Sequence, residues 1–143
     1  MGTPSLDLGS LTSVAEQEEE GHWVEIDHPS GGPLCMGKQD QPLRIKVVGS
    51  YSKTYRTNAK RQHQELLQKR GKFSESDKER RDLDTLVVCT KAWEHAYDDK
   101  GKAIPFNADN VRILYAQAPF IFDQVDSAIV DHAAFFPSSS PTP

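Results

Sequence analysis

Cysteine is nearly absent from this chain of 143 residues: only Cys35 and Cys89 occur, and a disulfide framework needs more. The five histidines are scattered, and no His or Cys pair has the spacing of a zinc site. No apolar run approaches the roughly eighteen residues that a membrane-spanning helix requires. Lysine and arginine are missing from the first 37 residues, which also excludes the basic-then-apolar order of a secretory signal. The expectation is a chain of a reducing cytosol. Aromatic residues make up 8% and hydrophobic residues 36%, enough for one core with some of the chain left outside it.

What is present is charge, and it comes in blocks. Residues 1–37 carry seven acids and no base, residues 38–81 carry thirteen Lys and Arg against five acids, and residues 82–143 carry four against nine. A basic centre between acidic flanks fits a phosphate-binding face, because clustered cations release counterions on binding nucleic acid. The net charge of -4 and the lack of a recognisable nucleic-acid motif around Tyr51, Tyr55 and Phe73 favour a solvated protein surface instead.

The periodicities predict an α+β fold in one domain. Residues 1–21 show no sustained apolar period and are expected to be a disordered acidic tail, and the Pro- and Ser-rich residues 137–143 a second one. Between them, 22–136 divides into strands over 22–50 and about four helices over 51–136. Trp23 to Asp27 alternate with period two, Pro29 to Pro33 supply a turn, and Leu34–Met36 and Leu43–Val48 return as a small sheet or hairpin. In Leu43-Arg44-Ile45-Lys46-Val47 the apolar side chains share one face and the cations the other.

After Gly49 the period lengthens. Tyr51, Tyr55, Ala59, His63, Leu66 and Leu67 predict a basic amphipathic helix ending near Gly71. A second helix is expected from Ser76, which forms a capping box with Glu79, or from Ser74. Its apolar stripe, Leu83, Leu86, Val87, Thr90, Trp93 and Tyr97, predicts helix through Tyr97, and Asp98-Asp99-Lys100-Gly101 a tight turn. Those aspartates lack the further oxygen ligands of a calcium loop. Asn107 is expected to cap a short third helix, and Pro119 to open a fourth whose broad apolar side runs from Ile121 to Phe136, with its aspartates favouring the dipole.

Nothing in the sequence reads as catalytic. Cys89 lies among core residues and Cys35 has no neighbouring base, while His22 and His28 lack a third metal ligand. Gly31-Gly32 lacks the Lys and Ser or Thr of a phosphate loop. No catalytic, cofactor or metal residue is assigned, and the expected role is a non-enzymatic binding module.

The order of these features resembles the tail assembly chaperones of long-tailed bacteriophages. The residues that carry it are the strand Trp23–Asp27, then Leu43-Arg44-Ile45-Lys46-Val47-Val48-Gly49-Ser50 running into a basic helix, then Ala92-Trp93-Glu94 and Asp98-Asp99-Lys100-Gly101-Lys102. Ile104-Pro105-Phe106-Asn107-Ala108-Asp109-Asn110 follows with Leu114, Pro119-Phe120-Ile121, Gln124-Val125, Ala128-Ile129, Asp131 and Phe135, so the likeness spans roughly residues 22–136. Family members usually place Thr or Ser at Asn107 and Glu at Asp109, so this chain departs conservatively at the cap.

The resemblance implies a protein of the host cytoplasm, absent from the mature virion, that coats the tape measure protein, keeps it soluble and helps recruit major tail tube subunits. It also implies self-association in multiple copies, with no cofactor, no membrane and no nucleic acid. On this reading Lys53, Arg56, Lys60 and Arg61 steer an acidic client, while exposed parts of the last helix at Phe122, Val125 and Ile129 shield its apolar surface. The rival readings are a structural tail-completion or connector protein of the virion, and a nucleic-acid-binding regulator.

Overall fold

The strand-forming stretch around Arg44 finds a partner on each edge, and the molecule is arranged around that pairing. A computed structural model describes residues 4–38, 40–70 and 72–136. Strands β1 (His22–Glu25), β2 (Arg44–Val47) and β3 (Thr90–Glu94) form an antiparallel sheet in the order β1-β2-β3. Five helices surround it: α1 (Leu8–Glu20), α2 (Lys53–Gln68), α3 (Glu75–Cys89), α4 (Ala108–Gln117) and α5 (Pro119–Ile129), with a closing 3₁₀ turn, His132–Phe135. The α+β class holds; the strand-then-helix layout holds only roughly, with α1 before the strands and β3 inside the helical half.

In β2 the alternation works as expected. Ile45 and Val47 are fully buried, while Arg44 and Lys46 turn to the other face and lie 5.0 and 6.0 Å from the Trp23 ring centre. Arg44 also pairs with Glu94 of β3 at 3.0 Å. Register places Trp23 opposite Lys46 and Ile45 opposite Trp93, with an irregularity between Lys46 and Val47 on the β3 side. Leu34–Met36 forms no strand. Leu34 instead donates its N–H to Ile26 and accepts from Leu43, bracing the loop across the sheet end.

Two sequence expectations fail for tertiary reasons. The stripe that predicts helix through Tyr97 is helical only to Cys89, after which Thr90 turns extended (φ -91, ψ 121) and the chain enters β3. Thr90 closes the helix itself: its Oγ1 donates to the Leu86 carbonyl at 2.7 Å and lies 2.6 Å from the Tyr115 hydroxyl. The open edge of β2 then supplies backbone partners to residues 90–94, which no helical continuation could use. Trp93 is half-buried against the core, donating Nε1–H to the Ile104 carbonyl and meeting Phe106 edge-on at 5.4 Å.

The expected acidic tail over 1–21 is the second correction, because residues 8–20 form α1. Asp7 caps it by accepting from the Ser10 N–H and hydroxyl, which hold the Asp7 carboxyl below its ordinary range. Gly21 ends it at φ 83, where a Cβ would strike the Val47 carbonyl. Helix α1 has a weak apolar period because it packs on α2 and the 3₁₀ turn with only part of its length; Leu8 and Leu11 stay exposed. The Pro/Ser tail over 137–143 and Gly71 lie outside the described residues.

Smaller differences follow from capping chemistry. Helix α2 ends at Gln68 with Lys69 as its cap. Helix α3 starts one box earlier than Ser76: Ser74 accepts from the Asp77 N–H, and Asp77 accepts from the Ser74 N–H, both at 3.1 Å. Asn107 caps α4, and Pro119 opens α5 as expected. Helix α5 stops at Ile129 rather than running to Phe136, and Asp123 falls beyond its first turn, so the first turn carries no acid. The Asp98 turn forms, with Asp98 Oδ1 accepting from the Lys100 and Lys102 N–H groups.

The Ser74 box yields a direct check. Ser74→Ala should lower unfolding free energy by about 1 kcal/mol in urea titration, whereas Ser76→Ala should leave it within a few tenths. Equal effects would put the helix start elsewhere.

Candidate functional site

The most unusual local chemistry lies where α1, the β2–α2 connection and the end of α5 meet. Glu18 is fully buried, yet it is a carboxylate. Its Oε1 accepts from the Tyr51 N–H at 2.8 Å, and its Oε2 accepts from His132 Nδ1 at 2.6 Å. Its backbone carbonyl accepts from the Gly49 N–H. Gly49 is obligatory here, because a Cβ would coincide with the Glu18 carboxylate. The Tyr51 ring stacks on the His132 imidazole at 3.9 Å and 9°.

Ser50 completes the line, with its hydroxyl 3.5 Å from His132 Nε2. Carboxylate, imidazole and hydroxyl in this order are the parts of a nucleophile relay. A relay also needs N–H donors free to hold an oxyanion. Those of Ser50, Tyr51 and Ser52 are already given to the Ile129 carbonyl, the Glu18 carboxylate and the Gly49 carbonyl. The network clamps three distant segments together.

Glu19 extends the clamp. Its carboxylate accepts from the Thr54 N–H at 2.8 Å and the Thr54 hydroxyl at 2.6 Å, beside the start of α2. Burial pushes the Glu19 carboxyl upward, but the Thr54 hydrogen bonds, Lys91 and the Lys53 N–H together outweigh it and leave the group below its ordinary range. Lys91 of β3 donates to the Glu19 carbonyl at 2.7 Å. Close by, His22 sits edge-on to Phe135 at 4.4 Å, and burial holds its pKa below the ordinary histidine range.

The seven partner-binding candidates separate into two groups. Lys53, Arg56, Lys60 and Arg61 are all exposed on α2. Arg61 pairs with Glu65 and Asn58, whereas among the described residues Lys53, Arg56 and Lys60 have no acid within salt-bridge distance. Lys53 lies between two grooves, one shared with Ala15 and Glu16 of α1 and one with Val88 of α3. This surface is the candidate interface.

The α5 group needs correction. Val125 is 0% exposed and Ile129 2%, so both belong to the core and neither can shield a client. The broad apolar side of α5 made them look available; the sheet and α3 cover it. Phe122 alone remains half-exposed, in a cleft between α3 and α5. Sequence reading also missed Glu18, Ser50 and His132, which lie far apart along the chain. The nearest signal is the Gly49-Ser50 pair, small residues where a buried side chain needs room.

Cys89 matches its expected role as a buried thiol, and burial pushes its pKa up to about 12. Cys35 is exposed. No grouping of His, Cys, Asp and Glu among the described residues suits a metal ion. No described helix is long and apolar enough to cross a membrane. The chain matches no protein-family model, no curated protein and no solved structure.

Two measurements check this geometry. Glu18→Ala leaves the Tyr51 N–H and His132 without their acceptor and should cost on the order of 3 kcal/mol in denaturant titration. Gly49→Ala should destabilise in the same direction, and wild-type stability of both would remove the clamp. Separately, a thiol reagent at pH 8 should modify Cys35 rapidly in the folded protein and Cys89 only after denaturant is added, read by intact mass.

Proposed function

We propose that this chain is a non-enzymatic tail assembly chaperone of a long-tailed phage, acting in the host cytoplasm on the tape measure protein. The observation that carries the reading is the cationic face of α2, with Lys53, Arg56 and Lys60 exposed and, among the described residues, without an acidic partner; Arg56 gives only its Nε–H, to the Ser52 carbonyl at 3.4 Å. The sequence resemblance supplies the class of client, and the face supplies a way to hold it. A long helical client with acidic residues would meet this face in many copies, each contact weak and screened, with avidity providing the strength.

Helix α2 is suited to that work. Its N-terminus is held by the Ser52 cap, which accepts from the Tyr55 N–H at 3.1 Å, and by the Glu19 bonds to Thr54. Its inner side is locked to α3 through Asn58 and Gln62, which donate to the Thr85 hydroxyl at 3.1 and 2.9 Å. The outer cations therefore stand on a rigid frame, which lowers the entropy lost on binding. Recruitment of tail tube subunits would follow once copies line the client.

The test is co-expression with the long helical protein encoded just downstream. The expected result is that the partner becomes soluble and co-purifies, and that reversing charge at Arg56, Lys60 and Arg61 cuts recovery at least tenfold while circular dichroism stays unchanged. An insoluble partner, or recovery indifferent to those reversals, overturns the reading. Finding this chain in purified particles points instead to a structural virion component.

A further inference from the structure

The basic face has a complement on the same molecule. Two adjoining pockets share Asp82 and Phe122: one of about 360 Å³ where α3 and α5 meet Tyr55 and Gln62 of α2, and one of about 630 Å³ where α3 and α5 meet the end of α4. The larger has an apolar lining that includes Leu83, Tyr115, Pro119 and Phe122. The smaller is walled by Asp82 and Asp126. Neither aspartate has a cationic side chain within salt-bridge distance among the described residues, although Arg80 and Arg81 border the cleft. Those two arginines are engaged elsewhere: Arg80 pairs with Asp77, and Arg81 lies over the Phe73 ring at 4.7 Å.

Burial and then the neighbouring Asp82 and Asp123 charges raise the Asp126 carboxyl, so the cleft holds like charges together without relief. On α2, Arg56, Lys60 and Leu67 stand four and seven residues apart, which aligns them on one side of the helix. All three are exposed, and Leu67 is 63% so. This stripe carries two cations and one large apolar group; the cleft offers two unpaired acids beside an apolar pocket.

We propose that a second copy of this chain seats the Arg56, Lys60 and Leu67 stripe of its α2 in the cleft between α3 and α5, joining copies head to tail. The cations would meet Asp82 and Asp126, and Leu67 would enter the pocket at Leu83 and Phe122. The cleft takes Tyr55 and Gln62 from α2, about a third of a turn round the helix from Arg56, Lys60 and Leu67, so stripe and cleft are different patches; each bound copy still presents one of each and the contact repeats rather than closing on itself. The proposal does not depend on the client, since purified protein alone should show it.

Sedimentation velocity on the full chain tests it. At about 50 mM salt the wild type should show a concentration-dependent series of species, and at about 500 mM a single monomer, because the Debye length shrinks from roughly 14 Å to roughly 4 Å and exposed charge pairs are largely screened. Arg56→Glu with Lys60→Glu should give monomer at both salts, as should Asp82→Lys with Asp126→Lys. All four positions are exposed, so the fold should survive, and an unchanged circular dichroism spectrum is the check.

An equimolar mixture of the two variants should associate again, since each then meets an opposite charge at both surfaces. Monomer at low salt for the wild type, association unaffected by the aspartate changes, or no recovery on mixing each overturns the proposal. Client capture separates the two readings: the aspartate variant should still retain the client if the α2 face binds it.

Discussion

A carboxylate taken out of water must be fully paired or it unfolds its surroundings, and Glu18 imposes that condition on this molecule. Its partners come from residues 33 and 114 positions away, Tyr51 and His132, so the condition is met only when three remote segments are in place. A buried polar cluster of this kind adds little net stability over a well-packed apolar replacement, since taking its polar groups out of water offsets their mutual hydrogen bonds. What it supplies is position: sliding α1 would take Glu18 from the Tyr51 N–H, the His132 imidazole and the Gly49 N–H at once. Gly49 leaves the room, and Ser50 ties the same loop to the end of α5 through its N–H and the Ile129 carbonyl.

The sheet obeys a similar logic. A strand as short as β2 is marginal alone and needs both edges satisfied. The first edge is reached by a loop that Ile26, Leu34 and Leu43 brace with backbone bonds. The second draws residues 90–94 out of a helical pattern. Thr90 makes the exchange possible by returning its hydroxyl to the helix it leaves. Behind the sheet, Ile45, Val47, Val111, Tyr115, Ile121 and Val125 form one buried cluster, and each such side chain contributes roughly 1.5–3 kcal/mol.

Charge is then sorted by the fold. Helix α2 faces solvent with cations, while Asp82 and Asp126 line the seam of α3 and α5. Both proposals rest on that segregation. A rigid helix with uncommitted cations can hold an acidic client, and the same stripe can find the acid-walled cleft of another copy. On the two proposals together, client and copy would compete for Arg56 and Lys60, which would link self-association to the supply of client.

Local chemistry was legible in the sequence wherever neighbours in the chain decide the outcome. The β2 alternation, the basic α2, the Asn107 cap, Pro119 at the start of α5 and the Asp98 turn all depend on residues within a few positions of one another. The exposed cations at Lys53, Arg56, Lys60 and Arg61 were legible for the same reason, since their spacing along α2 sets them off the face that carries Tyr55 and Gln62 toward α3. Tertiary structure alone decided the rest. It made α1 from a stretch with almost no apolar period, because Glu18 and Glu19 find their partners on α2 and beyond. It turned Thr90–Glu94 into a strand because β2 had an open edge, and it buried Val125 and Ile129 because the sheet and α3 close over them. A hydrogen bond across a hundred residues leaves no periodic trace in the chain, so only the folded molecule could show it.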